Sequence, residues 1–210
     1  MKSQNSIQID ILNQFIMEGK EEVLSIVYAD NYDLLFDYGL RFTADVQIVE
    51  DSIQEVFINI IKYRNRMSLV KNVQGYLLTA FRRQLFLYLN KQKKNISIDQ
   101  LPEFSFDYFK CSSDETSDKE EDEYLYSTIN ECINNLTIKQ REIIYLRFER
   151  EISYEEIAEI LNISIESCYK SIYRTIKIIR SAAERKIIKD GNSLFSFSHD
   201  QILKMKLRGN

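Results

Sequence analysis

The sequence has one proline, five glycines, one histidine and no tryptophan in 210 residues. So few turn-formers leave little material for tight β-turns or glycine-rich phosphate loops, and a mostly helical fold is expected. The single histidine, His199, nearly excludes a multi-histidine metal site or a histidine-dependent triad. Cys111, Cys132 and Cys168 are odd in number, far apart and without CxxC spacing. They indicate neither a zinc site nor a disulfide framework, and their usage fits a reducing cytoplasm. Met1–Asp10 is polar, unlike a cleavable signal, and no apolar run approaches the ~20 residues of a membrane span. No metal or cofactor is expected.

What is present is enough for a core. Apolar residues make up 44% and charged residues 29%, so the chain can fold. The overall charge of −4 conceals strong segregation. Residues 1–60 carry net −8, and residues 61–94 carry nine basic residues and no acidic one. Residues 95–127 carry −8, residues 128–162 carry −3, and residues 163–210 carry +6. Two basic segments separated by acidic ones are the footprint of phosphate binding at two places.

The expected fold is all-α, with two small helical domains joined by a flexible acidic linker. Residues 96–123 break the helical pattern, with Pro102, Ser112, Ser113 and a run, Asp114–Glu123, that is acidic at seven of ten positions. The expected domains are therefore 1–95 and 124–188, with a tail over 189–210.

A helix is expected around Ile48–Tyr63. At about 100° per residue, Val49, Ile53, Val56, Phe57 and Ile60 share the face that packs inward. Asp51, Gln54, Glu55 and Ile58 fall opposite. Asp51 and Glu55 lie one turn apart on an open helix with no partner base, so a docking face is favoured over acid–base chemistry.

The next helix is expected over Val73–Lys93, with Leu77, Leu78, Phe81, Leu85, Tyr88 and Leu89 buried. Tyr76, Thr79, Arg83, Asn90 and Lys94 lie on its far side, flanked by Gln84 and Lys91. Aromatic rings and guanidinium groups stack on unpaired bases, and cations meet phosphates. The preceding loop, Arg64–Asn72, adds Arg64, Arg66 and Lys71. Ordinary solvated helices intersperse signs to gain i,i+4 pairs, and this segment has no acid with which to do so.

The C-terminal domain carries the sharpest local signals. Ser153 and Glu156 have capping-box spacing, with Ile152 and Ile157 as the accompanying staple. Ile157, Ala158 and Leu161 are expected inside. Asn162 tolerates the left-handed backbone of a tight turn. Ser164 then caps a second helix, with Ile163 and Cys168 as its staple. Its expected inner stripe is Ile165, Cys168, Ile172, Ile176 and Ile179. Ser167, Lys170, Arg174 and Lys177 face out. Two helices, a short turn and a basic outer face make a helix-turn-helix.

Taken together, these segments resemble the extracytoplasmic-function group of bacterial RNA polymerase sigma factors, over about residues 23–182. Asp51, Gln54, Glu55 and Phe57 match the group's Asp-x-x-Gln-Glu-x-Phe hallmark in its polymerase-binding helix. NVQGYLLTAFRRQLFLYLNKQKK resembles the helix that engages the minus-10 element. LTIKQREIIYLRFEREISYEEIAEILNISIESCYKSIYRTIKIIR resembles the minus-35 domain. The chain departs from the group at Ile61, near which tryptophan is frequent, and at Cys168, where valine is common.

The resemblance implies a non-catalytic, cytoplasmic promoter-specificity subunit. Its implied partners are core RNA polymerase, promoter DNA and, commonly in this group, an anti-sigma factor. Asp51, Gln54, Glu55 and Ile58 would meet the polymerase. Arg64, Arg66, Lys71, Asn72, Tyr76, Thr79, Arg82, Arg83, Lys91, Lys93 and Lys94 would bind the minus-10 region. Ser164, Ser167, Lys170, Ser171, Arg174 and Lys177 would bind the minus-35 region. The alternative is a helix-turn-helix regulator that does not bind polymerase, which leaves the Asp51–Phe57 pattern unexplained.

Overall fold

A computed structural model describes residues 4–92 and 128–189. The acidic linker 96–123, residues 190–210 of the tail, and with them Lys93, Lys94, Cys111 and His199 lie outside the described residues. The described residues are all-α, with no strand among them. No helix of theirs is long and apolar enough to cross a membrane. The chain divides into two compact units, one holding the N-terminal helices and the other nearly all of the C-terminal ones.

The first unit is built from α1 (Gln4–Glu18), α2 (Glu21–Leu40), α3 (Val46–Lys62) and α4 (Val73–Gln92). A 3₁₀ helix, Arg64–Leu69, fills most of the segment expected to be a loop, and Met67 anchors it in the core. Helix α1 ends at Gly19, whose φ of +70° and N–H bond to the Phe15 carbonyl at 2.8 Å form a left-handed cap. Glu21 and Glu22 suit the positive start of α2. Asp45 starts α3 by accepting a hydrogen bond from the Ile48 N–H at 3.3 Å.

The expected inner stripe of α3 is buried at all five positions, together with Ile48 and Ser52. Ser52 keeps its hydroxyl satisfied by donating to the Ile48 carbonyl at 2.6 Å. On α4, Leu77, Leu78, Phe81, Leu85 and Leu89 are buried, whereas Tyr88 is only half-buried. The amphipathic tyrosine keeps a wet edge, and the buried stripe gains Val73 at its start instead.

Helices α2, α3 and α4 meet at Gly39. A Cβ there would lie 2.7 Å from Val49 Cγ1 and 2.8 Å from Phe81 Cζ, both on fully buried side chains. Glycine is required for the approach, since neither neighbour can swing away.

The second unit begins with α5, described over residues 128–134. Helix α6 (Ile138–Ile144) follows a complete capping box. Thr137 Oγ1 accepts from the Gln140 N–H, and Gln140 Oε1 accepts from the Thr137 N–H. Helix α6 loosens into a wider turn over Tyr145–Glu149, where the Arg150 N–H reaches the Tyr145 carbonyl at 3.1 Å. Glu151, with φ +55°, ends it.

Helix α7 (Tyr154–Leu161) starts at the expected box, with Ser153 N–H to Glu156 Oε2 at 2.9 Å and Glu156 N–H to Ser153 Oγ at 3.2 Å. Ile152 and Ile157 are both buried beside it. Asn162 adopts φ +52°, and the Ile163 N–H bonds the Ala158 carbonyl at 2.9 Å, closing a Schellman turn. Helix α8 (Ile165–Lys189) follows, capped by Ser164, whose Oγ accepts from the Ser167 N–H at 3.2 Å.

Three inward assignments in this unit need correction. Leu161 and Ile176 are half-buried and Ile165 is 45% exposed, while Ile163, expected as the staple partner of Cys168, is 38% exposed. The first turn of α8 is not yet covered by packing, and the buried stripe begins at Cys168. It runs on through Ile172, Thr175, Ile179 and Ala183, with Ile176 half-buried beside it. Thr175 can lie inside because its hydroxyl donates to the Ser171 carbonyl at 2.8 Å.

Gly39→Ala tests the junction of the first unit. Overpacking of a closed core costs about 1–3 kcal/mol. Urea denaturation should show a lower midpoint with an unchanged slope; a wild-type midpoint would show that the helices have slack.

Candidate nucleic-acid interface

The outward face of α3 has the expected composition. Gln54 is exposed, Asp51 and Glu55 are half-buried, and Ile58 is 54% exposed. Each carboxylate is held by an amide one turn away. Gln47 Nε2 donates to Asp51 Oδ1 at 2.8 Å, and Asn59 Nδ2 donates to Glu55 Oε1 at 3.3 Å. Exposed Val46 and Ile61 extend the face. Among the described residues no group of three or more His, Cys, Asp or Glu is placed to hold a metal.

The basic stretch after α3 is organised by rings and backbone. Lys62 Nζ and the Arg66 guanidinium each lie 5.3 Å from the centre of the Tyr63 ring, which is 41% exposed. This ring with its two cations is a feature that residue-type reading passed over. Arg64 is exposed, but its guanidinium lies over Gly19, so a Cβ there would clash with it. Lys71 is exposed. Its carbonyl accepts from Asn5 Nδ2 at 3.2 Å, while Asn5 Oδ1 accepts from the Val73 N–H at 3.2 Å. Helix α1 thus fixes the backbone on both sides of Asn72.

Asn72 itself caps α4, its Oδ1 accepting from the Gly75 N–H at 2.9 Å. That oxygen is therefore engaged within the chain. Thr79 is half-buried and donates its hydroxyl to the Gly75 carbonyl at 2.8 Å. Tyr76 is half-buried too, and burial pushes its phenol pKa up. Among the described residues of this face, Arg83, Asn90 and Lys91 are the exposed polar side chains. Arg82 is half-buried 4.7 Å from the Phe86 ring centre, and Lys91 Nζ sits 5.6 Å from that of Tyr88.

On α8, Ser164, Ser167, Lys170, Arg174 and Lys177 are exposed and Ser171 is half-buried. Ser164 is spent on capping. Ser167, Lys170, Ser171 and Arg174 line one shallow groove of about 250 Å³, and Gln140 of α6 forms its other wall. The T-x-x-Q spacing of Thr137 and Gln140 was the available sequence signal for this fifth residue. Lys177 lies apart, in a neighbouring groove with Tyr173, Ile176, Arg180, Ser181 and Glu184.

A layered stack steadies the start of α8. Tyr154 and Tyr169 rings lie 4.2 Å apart at 17°, and the Arg147 guanidinium covers Tyr154 at 4.7 Å. Arg147 Nη1 also donates to the Ile152 carbonyl at 3.0 Å. Cys168 is fully buried, and its thiol pKa is raised, chiefly by burial and then by Glu155. Thiolate is the reactive form. Cys168 and buried Cys132 should therefore resist iodoacetamide in the native chain and react in denaturant, as peptide mapping would read. Rapid native alkylation of Cys168 would contradict this packing.

Residues 127–179 match the family model described as Sigma-70, region 4. RNA polymerase sigma factor SigV of Bacillus subtilis (strain 168) is 27% identical over 152 residues, covering 72% of this chain and 82% of that protein. ECF RNA polymerase sigma factor SigX of the same organism is 24% identical over 172 residues, covering 78% and 85%. The fold is similar to that of the sigma factor RpoE, solved with the anti-sigma factor NepR from Bartonella quintana. That match has a TM-score of 0.52 and 16% identity, and covers 77% of this chain and 96% of the other. The region 4 match, two sigma-factor relatives aligned over most of their length and the similar fold together support an extracytoplasmic-function sigma-70 factor.

Proposed function

We propose that the chain is a promoter-specificity subunit that binds core RNA polymerase and directs initiation by recognising and melting promoter DNA. The observation that carries this reading is the adjacency of two unlike faces in the first unit. The acid-and-amide face of α3 is followed directly by the stretch 61–94, which has no acid. A DNA-binding regulator that works alone has no use for the first of these. The subunit is regulatory, and the polymerase supplies the chemistry.

In this reading α3 docks through Asp51, Gln54, Glu55 and Ile58. Arg64, Arg66, Lys71, Arg82, Arg83 and Lys91, followed by Lys93 and Lys94, hold the minus-10 phosphates, with Asn72, Tyr76 and Thr79 supporting that surface. Unpairing DNA costs a few kcal/mol, which released counterions and captured bases offset. Helices α7 and α8 act as a helix-turn-helix. Ser167 and Lys170 lie near the start of α8, where base edges are reached. Ser164 and Ser171 shape that start, and Arg174 and Lys177 hold backbone. An anti-sigma partner, as in the RpoE complex, would mask such surfaces.

Two measurements test the reading. The wild-type chain should co-elute with bacterial core polymerase on size exclusion, and Asp51→Lys/Glu55→Lys should not. Co-elution of both would remove the α3 face from the interface. In the reconstituted holoenzyme, Arg174→Ala should reduce the slope of log affinity against log salt by about 0.9 for the lost phosphate contact. An unaltered slope would take Arg174 off the DNA.

A further inference from the structure

The groove beside α8 contains a side chain from another helix whose orientation is fixed by its own fold. Gln140 Oε1 accepts from the Thr137 N–H at 3.0 Å and also from Thr137 Oγ1 at 3.0 Å. A backbone N–H can only donate, so the amide atom facing it must be the oxygen. This leaves Nε2, a pure donor, as the end available to a ligand. Gln140 is half-buried and lines the groove with Ser167, Lys170, Ser171 and Arg174. Lys170 and Arg174 are also donors without acceptor capacity.

The geometry points to a phosphodiester seat between Gln140 and Arg174, with Lys170 at its rim, in which the α6 capping glutamine positions the DNA backbone against α8. It rests on the reading of α8 as the DNA-facing helix and adds a second helix to it. A group with only acceptors fits a wall of donors. A phosphate and the major-groove edge of guanine both offer such acceptors. The adjoining cations favour the phosphate, because charge-assisted bonds to an anion are the stronger.

Gln140→Glu separates this role from capping. Glutamate at this position completes a capping box as well as glutamine, and a carboxylate suits a helix start. A purely structural Gln140 therefore predicts a variant at least as stable as wild type, with unchanged DNA binding. The seat predicts a variant that melts no lower yet binds DNA roughly tenfold or more weakly, since a charged hydrogen bond is lost. Gln140→Ala should fall between them in binding and below both in stability.

The assay reconstitutes the full-length chain with bacterial core polymerase and selects from a pool of random-sequence duplexes. The expected result is weaker retention by Gln140→Glu with the same selected sequence. Wild-type retention by Gln140→Glu would overturn the seat and leave Gln140 as a cap alone. A loss of preference at one base pair would overturn it in favour of base reading. Lys170→Ala and Arg174→Ala holoenzymes that both keep wild-type DNA retention and the wild-type selected sequence would instead overturn the reading of α8, and the seat with it.

Discussion

The outward faces of α3, α4, α6, α7 and α8 are each set by where the helix starts, and a side chain bonded to the backbone sets that start. Asp45 begins α3, Asn72 begins α4, Thr137 begins α6, Ser153 begins α7 and Ser164 begins α8. A chain with one proline and five glycines has few other ways to mark an end. Because successive residues turn by about 100°, fixing the first residue fixes the direction of every later one. The cap at Ser164 thus decides that Lys170 and Arg174 share a groove while Cys168 and Ile172 point inward. Removing such a cap typically costs about 0.5–2 kcal/mol, and it would also loosen the phase of the charges.

The basic stretch solves a second problem, which is how to hold cations without cancelling them. An ion pair would order an arginine and neutralise its field. Here Lys62 and Arg66 rest by Tyr63, and Lys91 by Tyr88. A ring face attracts a cation by about 0.5–1 kcal/mol at exposed sites and carries no net charge. The side chains gain a preferred place while the potential of the surface stays positive. Tyr154 serves Arg147 in the same way in the second unit.

Legibility in the sequence followed the clarity of each period. The stripe of α3 is regular and apolar, so Val49, Ile53, Val56, Phe57 and Ile60 could all be placed inside by counting. On α8 the same counting ran one turn too early. Ile163 and Ile165 are apolar, but their neighbours cover them only in part, and burial is a property of the neighbours. Thr175 went unnoticed because a hydroxyl that donates to its own helix behaves as an apolar group. The 3₁₀ helix at Arg64–Leu69 has no distinctive composition, and only Met67 betrays its contact with the core. Gln140 could be seen as a cap from its spacing. Its place beside Lys170 and Arg174 depends on how α6 lies against α8, which no local pattern encodes.

The tight meeting at Gly39 has a consequence for how the first unit responds to load. Three helices touch there with no room for a methyl group, so they cannot slide past one another without separating. The unit therefore behaves as a stiff template. Whatever it grips must take the shape of the template, and the deformation falls on the softer body.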